Sequence, residues 1–156
     1  MNNHGFSVIE LMVAIALIGI LSAIGTFSFS QYSKKSSISS QTRLLYGDLM
    51  EYRSKALYEK KNWTFKISAA SYGIYSSSNT TVAPVKTVAL KHNIESNNAT
   101  AIIYDTQGMA NVSGKSVCVS AANDAIVDAV VISSTRVQIG KKREGQNCVE
   151  SKIDAQ

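Results

Sequence analysis

The sequence predicts an α+β fold, in which one long N-terminal hydrophobic helix packs on an antiparallel β-sheet head. Three observations lead to this prediction. Leu11–Ser33 is an uncharged run of 23 residues. The residues that follow it carry apolar side chains at helical spacing. After Asn62 the chain changes to short β-branched and aromatic runs separated by turn residues.

The uncharged run is long enough to cross a bilayer, since about 20 apolar residues suffice for a helix. Lys34 and Lys35 close the run, and no second run of this kind follows in the sequence. Glu10 stands directly before it. A carboxylate inside a membrane span costs about 2.5–3.5 kcal/mol, so Glu10 is expected to have a function and a partner.

The helix is expected to continue beyond the membrane to about Lys60, which gives roughly 80 Å at 1.5 Å per residue. Apolar side chains recur on one face of this second half at Ile38, Leu45, Leu49, Tyr52 and Ala56. Glu51 and Lys55 form an i,i+4 pair on another face, as is typical of an exposed surface. Gly19 and Gly25 are the expected weak points of the first half, because glycine is a poor helix former.

The remainder of the chain predicts strands, with Trp63 in the core at the start of the sheet. The predicted strands are Trp63–Ser68, Tyr72–Ser76, Val85–Leu90, Thr100–Asp105, Val117–Ser120, Ile126–Ser133 and Arg136–Ile139. Cys118 and Cys148 are the two cysteines of the chain. An even pair in a translocated domain predicts a disulfide worth about 3–4 kcal/mol. The alternative is two unpaired buried thiols.

The N-terminal residues carry a resemblance to a known family. Gly5-Phe6-Ser7-Val8-Ile9-Glu10, followed by a long apolar helix, resembles the class III signal of type IV pilins and type II secretion pseudopilins. An ordinary secretory signal would carry a positive n-region, which residues 1–4 lack. A plain membrane anchor leaves Glu10 unexplained. The resemblance implies that prepilin peptidase cuts after Gly5 and methylates the new amine of Phe6. It also implies that Glu10 pairs with the Phe6 amine of a neighbouring subunit.

A domain organisation and a location follow from the resemblance. Residues 1–5 form the leader, residues 6–30 the membrane and filament-core half of the helix, and residues 31–156 the head. The head comprises an amphipathic helix half (31–61) and a β-sheet (62–156). Before assembly the protein is expected to cross the bacterial inner membrane once, with its N-terminus in the cytoplasm. It would then enter a periplasmic pseudopilus or a surface pilus, with the inner-membrane assembly platform and other subunits as partners.

Three shorter passages resemble the GspH/FimT-like group of this superfamily. They are Arg53-Ser54-Lys55-Ala56 late in the helix, Tyr104-Asp105-x-x-Gly108, and Thr135-Arg136-Val137-Gln138. Members of the group are minor pilins or pseudopilins, so the resemblance implies a low-copy structural subunit that acts in filament assembly near the tip. The alternatives are a major pilin that forms the shaft and a minor pilin that binds DNA for natural transformation.

The sequence favours a structural protein over an enzyme. His4 and His92 are isolated, and the sequence shows no Ser/His/Asp grouping, phosphate-binding glycine loop or metal-ligand spacing. We therefore expect no catalytic residue, no metal and no cofactor.

The hypothesis of DNA binding depends on four basic residues near the end of the chain. Arg136, Lys141, Lys142 and Arg143 form a basic cluster in the sequence, and phosphate contacts depend on charge more than on exact sequence. The alternative is a solvated turn that aids solubility. The net charge of +5 is too mild to decide between the two.

Overall fold

A computed structural model describes residues 7–98 and 101–156, without the side chains of residues 24–27. It contains one α-helix, nine strands and one short 3-10 helix in this part of the chain. The elements are α1 (Val8–Glu59), β1 (Trp63–Ile67), β2 (Ser71–Tyr75), β3 (Lys86–Ala89), β4 (Ile94–Ser96), β5 (Ile102–Tyr104), β6 (Lys115–Val119), β7 (Ala129–Ile132), β8 (Val137–Lys142), the 3-10 helix (Glu150–Lys152) and β9 (Ile153–Ala155).

The long helix is present, and it ends close to the expected residue. Lys60 adopts a positive φ of 53° immediately after α1, a left-handed conformation that stops the helix. By internal contacts the chain divides into two units, one ending at Lys34 and the other comprising Lys35–Gln156. The second unit therefore contains the C-terminal half of α1 together with every strand.

The strands form two antiparallel sheets, whereas the sequence predicted one. The first sheet has the order β3-β2-β1-β5 and the second the order β4-β6-β7-β8-β9. The seven predicted strands are all present with shifted ends, and Thr100 lies outside the described residues. β4 and β9 were not predicted. Each has only three residues with a charged residue in the middle, Glu95 or Asp154, so neither shows a strand-like apolar pattern.

The main core lies between α1 and the two sheets. The predicted helix face is confirmed: Ile38, Leu45, Leu49, Tyr52 and Ala56 are all at most 6% exposed. Aromatic rings extend this core. Tyr52 lies 4.7 Å from the ring centroid of Trp63 and 5.8 Å from that of Phe65. Trp63 is thus a core residue, as predicted. Glu51 and Lys55 form the expected ion pair at 2.7 Å beside the buried face of the helix.

One buried carboxylate joins the helix to the first sheet. Asp48 on α1 accepts a hydrogen bond of 2.6 Å from Tyr72 Oη, and Lys86 Nζ lies 3.0 and 3.1 Å from its two carboxylate oxygens. Burial, followed by the hydrogen bond to Asp48, raises the pKa of Tyr72. No sequence pattern indicates this contact, because Asp48, Tyr72 and Lys86 come from three separate elements.

A second, smaller core lies against the second sheet, around the disulfide. Cys118 on β6 is bonded to Cys148, and both pack with Ala129, Val131 and Ile153. The expected disulfide is therefore present. Gly140 makes this region close-packed, because a Cβ atom there would lie 2.6 Å from Asp154 O on β9. Only glycine lets β8 and β9 approach to this distance.

Candidate functional site

The first candidate site is the N-terminal part of α1, which presents an apolar surface around one carboxylate. Val8, Ile9, Leu11 and Met12 are between 56% and 76% exposed, and Glu10 is exposed among them in the first helical turn. Gly5 and Phe6, the expected cleavage and methylation sites, lie outside the described residues. A negative charge in the first turn is stabilised by the partial positive charge at the N-terminus of the helix. No described residue covers this surface.

The same helix meets the length and composition required of a membrane span. It contains an 18-residue apolar window of which no part is buried in the structure. α1 is continuous through Gly19 and Gly25, the expected weak points, and a Cβ atom at Gly19 would meet nothing within 4 Å. The described side chains of this segment thus offer an apolar surface suited to contact with lipid or with other protein chains.

The second candidate site, the basic cluster, is not one patch in the structure. Arg136 lies before β8, whereas Lys141 and Lys142 end that strand and Arg143 follows it. Five residues of strand separate Arg136 from Lys141 by roughly 16 Å. The turn at Arg136 and the segment at 141–143 therefore lie at opposite ends of β8, which the sequence spacing alone did not reveal.

Three of the four cations are also paired with carboxylates. Lys141 Nζ lies 3.3 Å from Asp128 Oδ2, and Lys142 Nζ lies 2.9 Å from Glu95 Oε1. The guanidinium of Arg143 donates two hydrogen bonds, of 3.0 and 2.7 Å, to Asp154 Oδ1. This pairing raises the pKa of Arg143 and lowers that of Asp154. The positive charge available to phosphates is correspondingly reduced.

All of these paired residues except Asp154 line a cleft of about 360 Å³. Asp128 is its buried member, with 2% exposure, and accepts hydrogen bonds of 2.7 Å from the Lys142 amide and 3.1 Å from Asn123 Nδ2. Lys141 Nζ also donates to the Asn123 carbonyl at 2.7 Å. The Lys141 amine and the Lys142 amide therefore both serve the buried Asp128 carboxylate. The described residues contain no group of acidic, histidine or cysteine side chains suited to a metal ion.

This arrangement predicts that substitution of Lys141 destabilises the protein, whereas substitution of Arg136 hardly changes its stability. We expect Lys141→Ala to lower the free energy of unfolding by about 1–3 kcal/mol, because it removes a charged donor from the buried Asp128 carboxylate. Arg136→Ala, at an exposed turn, should change it by less than about 0.5 kcal/mol. Urea denaturation measures both values.

DNA binding is tested separately. Binding to duplex DNA is compared between the wild type and a quadruple alanine variant of Arg136, Lys141, Lys142 and Arg143. A stable quadruple variant with much weaker DNA binding would contradict the structural role of these cations.

Two of the family-like passages meet in the structure. Arg53 Nε donates a 2.9 Å hydrogen bond to Gly108 O, and the turn at Gly108 is closed by Asp105, whose Oδ1 accepts from the amides of Gln107 and Met109 at 2.8 and 2.9 Å. Gly108 has φ +70° and lies directly against Leu57. The two passages therefore form a single contact between the end of α1 and the turn after β5.

Gly108→Ala should destabilise the protein by about 2–3 kcal/mol, since it adds left-handed backbone strain to a clash with Leu57 Cγ at 2.8 Å. Gly145→Ala is the matched control, because Gly145 has φ +69° with nothing within 4 Å of the added Cβ. The control should cost only the backbone strain, about 1 kcal/mol. Equal losses in thermal or urea denaturation would show that the Leu57 contact is unimportant.

Comparison with known proteins identifies one sequence motif and one similar fold. A model of the prokaryotic N-terminal methylation motif matches residues 1–26. Two crystal structures of the type IV minor pilin FimU from Pseudomonas aeruginosa are similar to this chain. One has a TM-score of 0.57 at 14% identity, covering 79% of this chain and 96% of that one. The other has a TM-score of 0.52 at 16% identity, covering 74% and 95%. A search of curated proteins found no match.

At these identities the likeness to FimU shows the fold. The predicted combination of a long hydrophobic helix and an antiparallel head is thereby confirmed as the pilin fold. The methylation motif falls on the residues that precede and begin α1, where Glu10 lies. The chain therefore combines a prokaryotic N-terminal methylation motif with the pilin fold.

Proposed function

We propose that this chain is a minor structural subunit of a type IV pilus or a related secretion pseudopilus, and that it acts in filament assembly near the tip. The observation that carries the proposal is the uncovered apolar surface of α1 with Glu10 in its first turn. Such a surface requires lipid in a monomer and other helices in a filament. The match of residues 1–26 to the methylation motif supports the same role.

In this proposal prepilin peptidase cleaves between Gly5 and Phe6 and methylates the Phe6 amine. Residues 1–5 are the leader, and residues 6–30 anchor the protein in the inner membrane with its N-terminus in the cytoplasm. Residues 31–156 form the head outside. The assembly platform then transfers the subunit into the filament. There the Glu10 carboxylate neutralises the Phe6 amine of a neighbouring subunit, which removes two isolated charges from an apolar environment.

The minor role is supported by the likeness of the fold to a minor pilin, FimU. A DNA-binding role receives no comparable support, because the cations that suggested it are divided between two ends of β8 and largely paired.

Quantitative mass spectrometry of sheared filaments and of membranes tests the proposal. We expect a peptide that begins at methylated Phe6, present in filaments in trace amounts relative to the other subunits. A dominant amount would make this chain a major pilin instead. A peptide that still begins at Met1 in every fraction would contradict processing and assembly together.

A further inference from the structure

The two sheets have four edges, and three of them are blocked among the described residues. At β5, Asn111 accepts from the Ile103 amide and donates to its carbonyl, at 2.8 and 2.9 Å. At β4, the Ile94 amide donates to Ala69 O at 2.8 Å. β9 is three residues long and carries the charged Asp154 in its middle. Charges, short strands and covering loops are the usual means by which proteins protect sheet edges.

The fourth edge, β3, remains open. β3 pairs with β2 on one side, and no described residue pairs with its other side. The Leu90 amide donates to Ala70 O, so the alternation of an antiparallel ladder turns the amide of Val88 towards β2. The amides and carbonyls of Thr87 and Ala89 therefore point away from the sheet. Both residues are exposed.

β3 also lacks the usual protection of an edge strand. It contains no proline, and its one charged residue is Lys86. Lys86 would guard the edge if its amine projected into solvent, but the amine is held by Asp48 at 3.0 Å on the core side of the sheet. Val82 and Val85, which precede the strand, are 52% and 58% exposed. The edge thus offers unpaired backbone groups next to apolar side chains.

The charge around this edge indicates which kind of strand it would accept. Residues 61–94 contain four lysines and no aspartate or glutamate. Lys86 is paired with Asp48, and the other three, Lys61, Lys66 and Lys91, are exposed. Lys66, Gly73 and Thr87 are register partners across β1, β2 and β3, so they share the outer face of the sheet. The Tyr75 ring covers Gly73 on this face, since a Cβ atom at Gly73 would lie 3.1 Å from Tyr75 Cε2. Lys91, which is exposed and follows the end of β3 by two residues, is the cation next to the position of an added strand. Carboxylates on an incoming strand would therefore be attracted to this end of the edge.

We propose that β3 is a docking edge for an acidic extended segment of another protein, which adds to the first sheet as a fifth strand. Backbone hydrogen bonds to Thr87 and Ala89 supply the affinity, and the lysine-rich surroundings favour a segment that carries carboxylates. This interaction does not depend on the proposed filament role, because it uses only residues of the head.

Amide hydrogen exchange tests the proposal, measured by NMR on the full chain in detergent micelles. The probe is a peptide of about ten residues in which valine and glutamate alternate. We expect exchange at Thr87 and Ala89 to slow by at least about tenfold when the peptide is bound. Two control peptides isolate the causes. One carries methylated backbone nitrogens at alternate positions, and the other has lysine in place of glutamate. Neither should protect these amides.

Two variants of the edge complete the test. Thr87→Pro removes an outward amide without breaking a bond to β2, since proline is tolerated where the amide faces solvent. It should abolish peptide binding, whereas Thr87→Val, which keeps the amide, should bind as before. Absence of binding to the wild type, or equal binding of the Thr87→Pro variant or the methylated peptide, would overturn the proposal. Concentration-dependent protection of the two amides without peptide would show that a second copy is the occupant, which would also overturn it.

Discussion

Glu10→Ala is expected to remove the protein from filaments while leaving its amount in the membrane unchanged. In the proposed filament, Glu10 and the Phe6 amine of a neighbour neutralise each other in an apolar environment. Breaking a buried pair by removing one partner costs about 3–5 kcal/mol, which corresponds to a decrease in incorporation of roughly 10²–10⁴-fold. The membrane-inserted monomer should not suffer, because loss of a carboxylate makes insertion of the helix easier.

Immunoblots of sheared filaments and of membrane fractions measure this effect. Glu10→Gln should fail in the same way, since it retains the shape of the side chain and removes its charge. Glu51→Ala is the matched control: Glu51 lies on the same helix and forms an exposed pair with Lys55, which is worth only a few tenths of a kcal/mol. Normal incorporation of Glu10→Ala would disprove the pairing. A defect shared with Glu51→Ala would indicate a general effect of helix charge.

Replacement of both Cys118 and Cys148 by alanine should lower the free energy of unfolding by about 3–4 kcal/mol. The bond closes a loop of sequence separation 30 and anchors the segment 143–149 to β6. Its loss should act most strongly on the small core that Ala129, Val131 and Ile153 form with the two sulfurs. Hydrogen exchange should therefore quicken first in β9 and the 3-10 helix, with α1 protected longer.

Urea denaturation of the double alanine variant and of the reduced wild type gives the comparison. Equal losses would assign the effect to the cross-link. A loss in the variant alone would assign it to the missing sulfur atoms, because alanine leaves space that reduced cysteines fill. No loss in either protein would contradict a stabilising role for the disulfide.

The helix was the most predictable part of the fold, since a local pattern specifies it. The spacing of Ile38, Leu45, Leu49, Tyr52 and Ala56 identified the buried face without any knowledge of what covers it. The central strands were predictable for a similar reason, because β6 and β7 are buried throughout and rich in valine. The short edge strands β4 and β9 were not, since pairing with a longer neighbour, and not their own composition, makes them strands.

The candidate sites also differ in whether the sequence alone could predict them. The motif around Gly5, Phe6 and Glu10 could be read from consecutive residues, because it is a local signal. The basic cluster could not be judged from spacing: Arg136 and Lys141 are near in sequence but at opposite ends of a strand, and the partners of the lysines come from β4 and the β6–β7 connection. The contact between Arg53 and Gly108 likewise joins residues that are 55 positions apart.

By itself, the sequence determined a long hydrophobic helix with one carboxylate at its start, an antiparallel head and a pair of cysteines. These features depend on periodicity, length and composition, which are properties of neighbouring residues. Only the tertiary structure decided that the strands form two sheets, that Lys86 turns inward to Asp48, and that β3 is left as an open edge. Such features depend on which distant residues meet, and that is fixed by the geometry of the whole fold.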